Sequence, residues 1–309
     1  VFAPVSPLDS PSALLADAAF GARPGRSAGE LPAARDGLEE WWRAVLLGGQ
    51  GRYAAARVEL RNLRMRSADP VLLALAASTE GSLLRQLGWH DRAARYDGRA
   101  AALILPSLER NTFGRSTTAE TLPAGVEPQA IPADALPHPV AAAGDALTGL
   151  AADALGAGRL ELAARLLERA HRILDHHDPS RVRRRLWVRW HWVRAETALA
   201  GGRGASALPC AEVALALAEA GSSVRHQVKS RLLVAAAAMA TGDVDRAGEL
   251  ADAVADQCRE HDLLPLRWAC AMLRGGLPGA VSGDTQRDVA YCTAAIAERG
   301  GRFRSFGES

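Results

Sequence analysis

Apolar positions recur at steps of three and four along most of this chain, in runs a few turns long that end at glycine-bearing breaks. That period marks amphipathic helices rather than strands. The clearest unit spans 224–258: an apolar helix ending in VAAAAMA, a turn opened by Thr241 and Gly242, and a second helix with Asp243 and Asp245 at its start. Looser copies of this pair fill the rest of the chain. The pattern predicts helices over 38–48, 53–65, 71–87, 90–105, 140–155 and 160–174, one opened by Asp178-Pro179 that runs to Leu199, and further helices over 206–220, 264–273 and 284–298. Asp69-Pro70 and Asp178-Pro179 supply a capping carboxylate followed by a proline in the first turn, where its missing N–H costs nothing.

Two stretches lack the pattern. Residues 1–35 carry Pro4, Pro7, Pro11, Pro24 and Pro32, and read as an N-terminal arm or loose cap with room for one short helix over 12–20. Residues 106–139 carry six prolines, which remove donors and bias preceding residues away from the helix, so no helix longer than about two turns is predicted there. The chain then divides into an arm (1–35), an N-terminal helical block (36–105), a proline-rich linker or loop (106–139), a C-terminal helical block (140–300) and an unpatterned tail (301–309).

A set of columns recurs at the turns of five helix pairs. Each has a Gly followed five residues later by Ala: Gly51/Ala56, Gly88/Ala93, Gly158/Ala163, Gly202/Ala207 and Gly242/Ala247. Seven residues before each Gly stands a small residue (Ala44, Gly81, Ala151, Ala195, Ala235), and twelve after it an apolar one (Leu63, Ala100, Ala170, Ala214, Val254). A glycine at a helix end accepts positive φ without steric cost. Small residues on both sides of the turn let two antiparallel helices approach closely. Each pair leaves an apolar face open, so neighbouring pairs must stack.

These small–Gly–Ala–small columns resemble the tetratricopeptide repeat family, most clearly at Gly81/Gly88/Ala93/Ala100 and Ala235/Gly242/Ala247. The resemblance covers 36–105 and 140–261. It implies an all-α, right-handed α-α superhelix, a solenoid of about six helix pairs whose first helices line a concave groove that binds peptides or protein segments. The sequence departs from the family in its Gly-to-Gly spacings of 37, 70, 44 and 40, against about 34 for the family, and in placing Ala or Leu where the family often has aromatics. In the family, the residues thirteen and ten positions before the turn glycine face the groove. Here these are Arg189 and Trp192 before Gly202, and Lys229 and Leu232 before Gly242, with Arg185 one turn before Arg189. The resemblance therefore implies a partner-binding strip of Arg185, Arg189, Trp192 and Lys229, basic with an aromatic wall, suited to an acidic peptide or a C-terminal carboxylate. Changing Arg189 and Lys229 to Glu is expected to weaken partner binding and to leave melting nearly unchanged.

Composition narrows this picture. Apolar residues make up 48% of the chain and aromatics 5%, with Ala, Leu and Val dominant, which favours helices and a large core. Net charge is +2, which implies no general polyelectrolyte role. Almost every basic residue is Arg, and Lys229 is the only lysine. No apolar run approaches the roughly 20 residues of a membrane span. No basic residue precedes Arg23, unlike the charged start of a secretory leader. The expectation is a cytoplasmic protein with no membrane contact. Cys210, Cys258, Cys270 and Cys292 form no Cys-x-x-Cys pair and read as buried free thiols.

The helix over 181–199, RVRRRLWVRWHWVRAETAL, is the most unusual. Val182, Leu186, Trp190, Val193 and Thr197 share one face and read as core. Trp187 and Trp192 lie off it among five arginines, and two readings are open. The helix is packed on both sides, with Arg stems covering apolar surface, or its arginines and tryptophans form a binding face for a protein segment or for nucleic acid. His171, His176 and His177 cluster at a helix end, where they satisfy loose carbonyls and the dipole; no metal site is predicted. The chain has no Gly-x-x-x-x-Gly-Lys loop, no Gly-x-Ser-x-Gly elbow and no His-Glu-x-x-His helix. No enzyme activity and no cofactor are expected. The function expected is a non-enzymatic protein–protein interaction scaffold or adaptor. The alternative is a transcription-related regulator that contacts nucleic acid through 181–199.

Overall fold

The computed structural model describes residues 10–111, 131–177, 183–278 and 282–305. They form thirteen α-helices and, among the described residues, no strand. A first helix, α1 (Pro11–Phe20), precedes six consecutive pairs: α2 (Gly37–Gly49) with α3 (Tyr53–Arg66), α4 (Pro70–Arg85) with α5 (His90–Asn111), α6 (Pro139–Gly156) with α7 (Leu160–Asp175), α8 (Arg184–Ala200) with α9 (Gly204–Glu219), α10 (Val224–Thr241) with α11 (Val244–Glu260), and α12 (Leu264–Gly275) with α13 (Ser282–Glu298). The members of each pair pack on each other, and the first helices α2, α4, α6, α8, α10 and α12 also pack in series. The fold is thus an all-α superhelix of the tetratricopeptide-like kind.

The repeat columns hold it together. Gly51, Gly88, Gly158, Gly202 and Gly242 all have positive φ, between 70° and 88°. After each one the next residue's N–H returns to a carbonyl five residues back, as from Arg52 to Leu47 (2.8 Å) and from Asp243 to Ala238 (3.0 Å). This is the Schellman geometry, which satisfies orphan carbonyls at the helix end and starts the antiparallel return. Every column residue around these glycines is buried, including Ala44, Ala56 and Leu63 at the first turn and Ala235, Ala247 and Val254 at the fifth. Ser10, Asp36, Asp69 and Asp243 cap α1, α2, α4 and α11 through their side chains.

Several elements run differently from the sequence expectation. Helix α5 continues through Pro106 to Asn111 instead of stopping at Leu105. The Ser107 hydroxyl donates to the Ile104 carbonyl (2.7 Å), and Leu108 packs against Val140, Leu174 and Leu186, so tertiary contact outweighs the lost backbone bond. Of the remaining proline-rich stretch, 112–130 lies outside the described residues, and 131–138 holds only a short 3₁₀ turn, Ala133–Ala135. The residues Asp178-Pro179-Ser180 also lie outside them; α8 is described from Arg184.

Both ends of the described residues are docked. Leu15, Ala16 and Phe20 of α1 are buried against α2. The segment after α1 is held by the Gln50 amide, which donates to the carbonyls of Pro24 (2.9 Å) and Arg26 (2.7 Å), and by the Val224 N–H on the Gly21 carbonyl (3.2 Å). It thereby links the α2–α3 turn to the start of α10. At the other end, Ala54 N–H bonds the Arg299 carbonyl (3.0 Å), Arg304 N–H bonds the Leu87 carbonyl (2.8 Å), and the Trp89 indole donates to the Arg302 carbonyl (2.7 Å). Phe303 stacks on Trp268 with centroids 4.5 Å apart. The last pair therefore returns to the first two turns, and the superhelix closes on itself. Helices from both sides of the proline-rich stretch share one core, which includes Trp42, Leu75, Ile104, Ala142, Ala146, Leu264 and Ile296.

Candidate functional site

The inner side of the ring holds a partly open cavity of about 510 Å³. This lies within the roughly 300–1,000 Å³ of small-ligand sites. Side chains from all the serial first helices after α2 reach it: Arg85 and Gln86 near α4, Leu155 from α6, Arg189, Trp192 and Glu196 from α8, Arg225, His226, Lys229 and Leu232 from α10, and Leu266, Trp268 and Leu273 from α12. Gly49 completes the wall at the end of α2. Part of the lining is charged, and much of the rest is apolar. The docked ends bound the ring beside it: Gln50, next to Gly49, holds the N-terminal segment, and Trp268 carries the stacked Phe303.

Three of the four residues expected at the site line this cavity. Arg189 pairs with Asp145 (3.3 Å), and burial lowers its pKa. Trp192 is 8% exposed; its indole donates to the Ser230 hydroxyl (2.8 Å), and the Lys229 ammonium stands 4.6 Å from its ring centroid. Lys229 also pairs with Glu196 (3.2 Å). Leu232 lies beside them, as the spacing from Gly242 implied.

Arg185 is placed differently. It is 2% exposed and stands behind the cavity wall, where its guanidinium bonds the Asp145 carboxylate (2.5 Å), shared with Arg189, and the Asp134 carbonyl (3.0 Å). Phe20 and Trp41 lie beside it. The docked α1 and the 133–135 turn cover this part of the groove, so Arg185 fastens the inserted segments and does not extend an open strip. The double change to Glu at 189 and 229 is also unsuitable, because new carboxylates would face Asp145 and Glu196 at once.

Arg225, Glu196, Arg85 and Trp268 are site residues that the sequence reading did not name. Arg225 stands one turn before Lys229 on the same face of α10, and Glu196 one turn after Trp192 on α8. Extending the two columns by a turn finds both. Behind Arg85 lie two carboxyls: it bonds Asp97 (2.9 Å) and Asp153 (2.5 Å), both sealed from solvent. Burial, opposed by Arg85, pushes the Asp97 and Asp153 pKa values up. Neither carboxyl lines the cavity; Glu196 does, and it is tied to Lys229.

The remaining candidates are structural. In α8, Leu186, Trp190, Val193 and Thr197 are buried as expected, but so are Arg185 and Trp192 on the other side. Only Arg184 and Arg194 of the described arginines on this helix are exposed, and Trp187 is half-buried edge-on to His171. No open aromatic face remains there for base stacking. His177 bonds the Ile173 carbonyl (2.6 Å), and among the described residues no cluster of His, Cys, Asp or Glu could hold a metal. Cys258, Cys270 and Cys292 are buried free thiols; burial raises all three pKa values, that of Cys270 to about 12 and that of Cys292 to about 11. No helix among the described residues is long and apolar enough to cross a membrane.

A pH dependence follows from His191, which packs against Trp190. Burial, then Arg194 and His171, lower its pKa to about 4. The unfolded chain takes up this proton near pH 6.5, whereas the folded chain resists it until about pH 4. The contribution to stability is therefore whole above pH 6.5 and is lost as pH falls below it. Asp97 and Asp153 shift stability the opposite way, so the comparison needed is with a variant. His191→Gln is expected to flatten the fall between pH 7.5 and pH 5 by about 1 kcal/mol after allowance for solvent screening, read by urea unfolding. Parallel profiles would show that His191 is not the source.

No protein-family model matches the chain, and no curated protein does. Among solved structures the chain is similar to a Rap protein complexed with competence and sporulation factor, at 12% identity and a TM-score of 0.57 over 88% of this chain and 68% of that one. At this identity the likeness is one of fold, and it places the chain among tetratricopeptide-like helical superhelices.

Proposed function

We propose that the chain is a non-enzymatic protein-interaction adaptor that holds a short segment of another protein against the wall formed by Arg189, Trp192, Lys229 and Leu232. The observation that carries this reading is the convergence of those side chains on one cavity shared by the serial first helices. The tetratricopeptide-like fold supports it, as does the Rap structure of similar fold, which contains a bound factor. The charged half of the wall suits an acidic segment, and the tryptophan adds apolar contact area. The alternative of nucleic-acid contact through α8 has less support, because the tryptophans of that helix are turned inward or half-covered.

The test is capture from native lysate with wild-type chain as bait, identification by mass spectrometry, and titration of the purified partner. Arg189→Gln with Lys229→Gln is expected to weaken that partner by about 10–100-fold, the loss of one to two charge-assisted bonds. Helicity and melting should stay close to wild type. Undiminished binding of the same partner would remove the cavity wall from the interface.

A further inference from the structure

The cavity holds more positive charge than its carboxylates answer. Arg85, Arg185, Arg189 and Lys229 each have an acidic partner. Arg225 has none among the described residues. Its guanidinium lies against Gly49, where a Cβ would stand 3.0 Å from Arg225 Cδ and 3.5 Å from Nη1, so the glycine makes room for it. Burial and the neighbouring charges of Arg189 and Arg185 lower its pKa to about 10. Next to it, His226 is 5% exposed, and burial, then Arg225, Arg185, Arg189 and Lys229, drive its pKa well below the usual value. Arg225 is thus the cation at this end of the cavity that no carboxylate among the described residues answers. Arg225 is half-buried, and an unpaired cation partly withdrawn from water favours an anion beside it.

Much of the remaining lining is apolar: Leu232, Leu233 and Ala236 further along α10, and Leu266, Trp268 and Leu273 of α12. An inorganic anion would satisfy Arg225 and leave this wall unfilled. A long peptide would have to thread a ring that the N-terminal segment and the tail already close. The volume and the division of the wall fit one compact molecule with a charged end and an apolar body. We propose that the cavity binds a small organic anion, its single carboxylate-type group on Arg225 with support from Lys229, and its apolar body between Leu232, Leu266 and Trp268. This goes beyond the adaptor reading and does not depend on it. Where both hold, the molecule competes with the protein segment for Trp192 and Lys229, and so acts as an effector of adaptor binding.

The probe for the test is 1-anilinonaphthalene-8-sulfonate, an apolar body with one fixed negative charge, titrated into the full chain by fluorescence. N-phenyl-1-naphthylamine serves as its uncharged counterpart. Wild type is expected to bind the sulfonate at one site and to release it to octanoate. Arg225→Gln should weaken the sulfonate at least tenfold and leave the uncharged probe within twofold. Ala236→Trp, which fills the apolar end, should abolish both. Near-UV circular dichroism of each variant keeps probe uptake by a loosened core apart from site binding. Should Arg225→Gln unfold the chain, Ala236→Trp and octanoate competition decide. The proposal is overturned if folded Arg225→Gln binds the sulfonate as wild type does, if both probes weaken equally in it, or if Ala236→Trp leaves both bound. No partner protein enters this assay, so failure of the adaptor reading leaves its outcome intact.

Discussion

Arg85→Met is expected to destabilise the chain by about 3–5 kcal/mol, the range for removing one member of a buried charge network. Arg85 ends α4, yet its guanidinium reaches Asp97 on α5, and Asp153 and the Gly149 carbonyl (3.0 Å) on α6. One side chain therefore ties three helices. Asp97 and Asp153 are closed to solvent, and without Arg85 they are left facing each other. The neighbouring backbone is built around them: a Cβ on Gly81 would lie 2.6 Å from Asp97 Oδ2, and one on Gly149 only 2.4 Å from Oδ1. The small residue in that repeat column is thus required by a carboxyl as well as by helix packing. Without Arg85 the two acids must take up protons to remain buried, so the deficit should be larger at pH 7.5 than at pH 5. Urea unfolding at both values measures it. A loss below about 1 kcal/mol at pH 7.5, the level of a surface ion pair, would show that the network contributes nothing net.

The sequence was most informative where the physics is local. A glycine with positive φ and a small residue at a helix crossing are each dictated by neighbours a few positions away, and all five predicted turns formed as read. The serial first helices, and the inward positions of Arg189, Trp192, Lys229 and Leu232, are what the tetratricopeptide resemblance carried by those columns implies. What escaped the reading depends on contacts between distant parts. Ring closure is made largely by backbone carbonyls and N–H groups, as between Arg304 and Leu87 and between Ala54 and Arg299, and these leave no residue-type signal. The N-terminal segment looked like a loose arm because its prolines and glycines give no period, yet the buried Gln50 holds it through two carbonyls. Arg185 looked available because an Arg next to Trp on one helix does not disclose what packs over it. Arg225 lies one turn outside the two groove positions that the resemblance implies for α10, as Arg185 does for α8.

Trp42→Ala is the second change with a large expected effect, about 3–5 kcal/mol for a buried Trp. Trp42 is fully buried on α2, and its indole donates to the Ala135 carbonyl (2.8 Å) near the end of the proline-rich stretch. It belongs to a core that also holds Ile131, Ala142, Ala143 and Ala146. The variant therefore probes the relation between the blocks 36–105 and 140–300. If they form one cooperative unit, the whole transition moves to lower temperature by roughly 6–20 °C, taking about 2–4 °C per kcal/mol for a chain near this size. Trp42→Phe keeps most of the volume and loses the hydrogen bond, for about 1 kcal/mol. If only part of the calorimetric signal moves and a second transition stays in place, the blocks melt separately, and the shared core does not couple them. A single transition is expected, because the first helix after the linker packs on α4 and α5 of the first block, and the segment after the last helix pair bonds the α2–α3 and α4–α5 turns. No cut at the proline-rich stretch alone leaves either block with a complete apolar face.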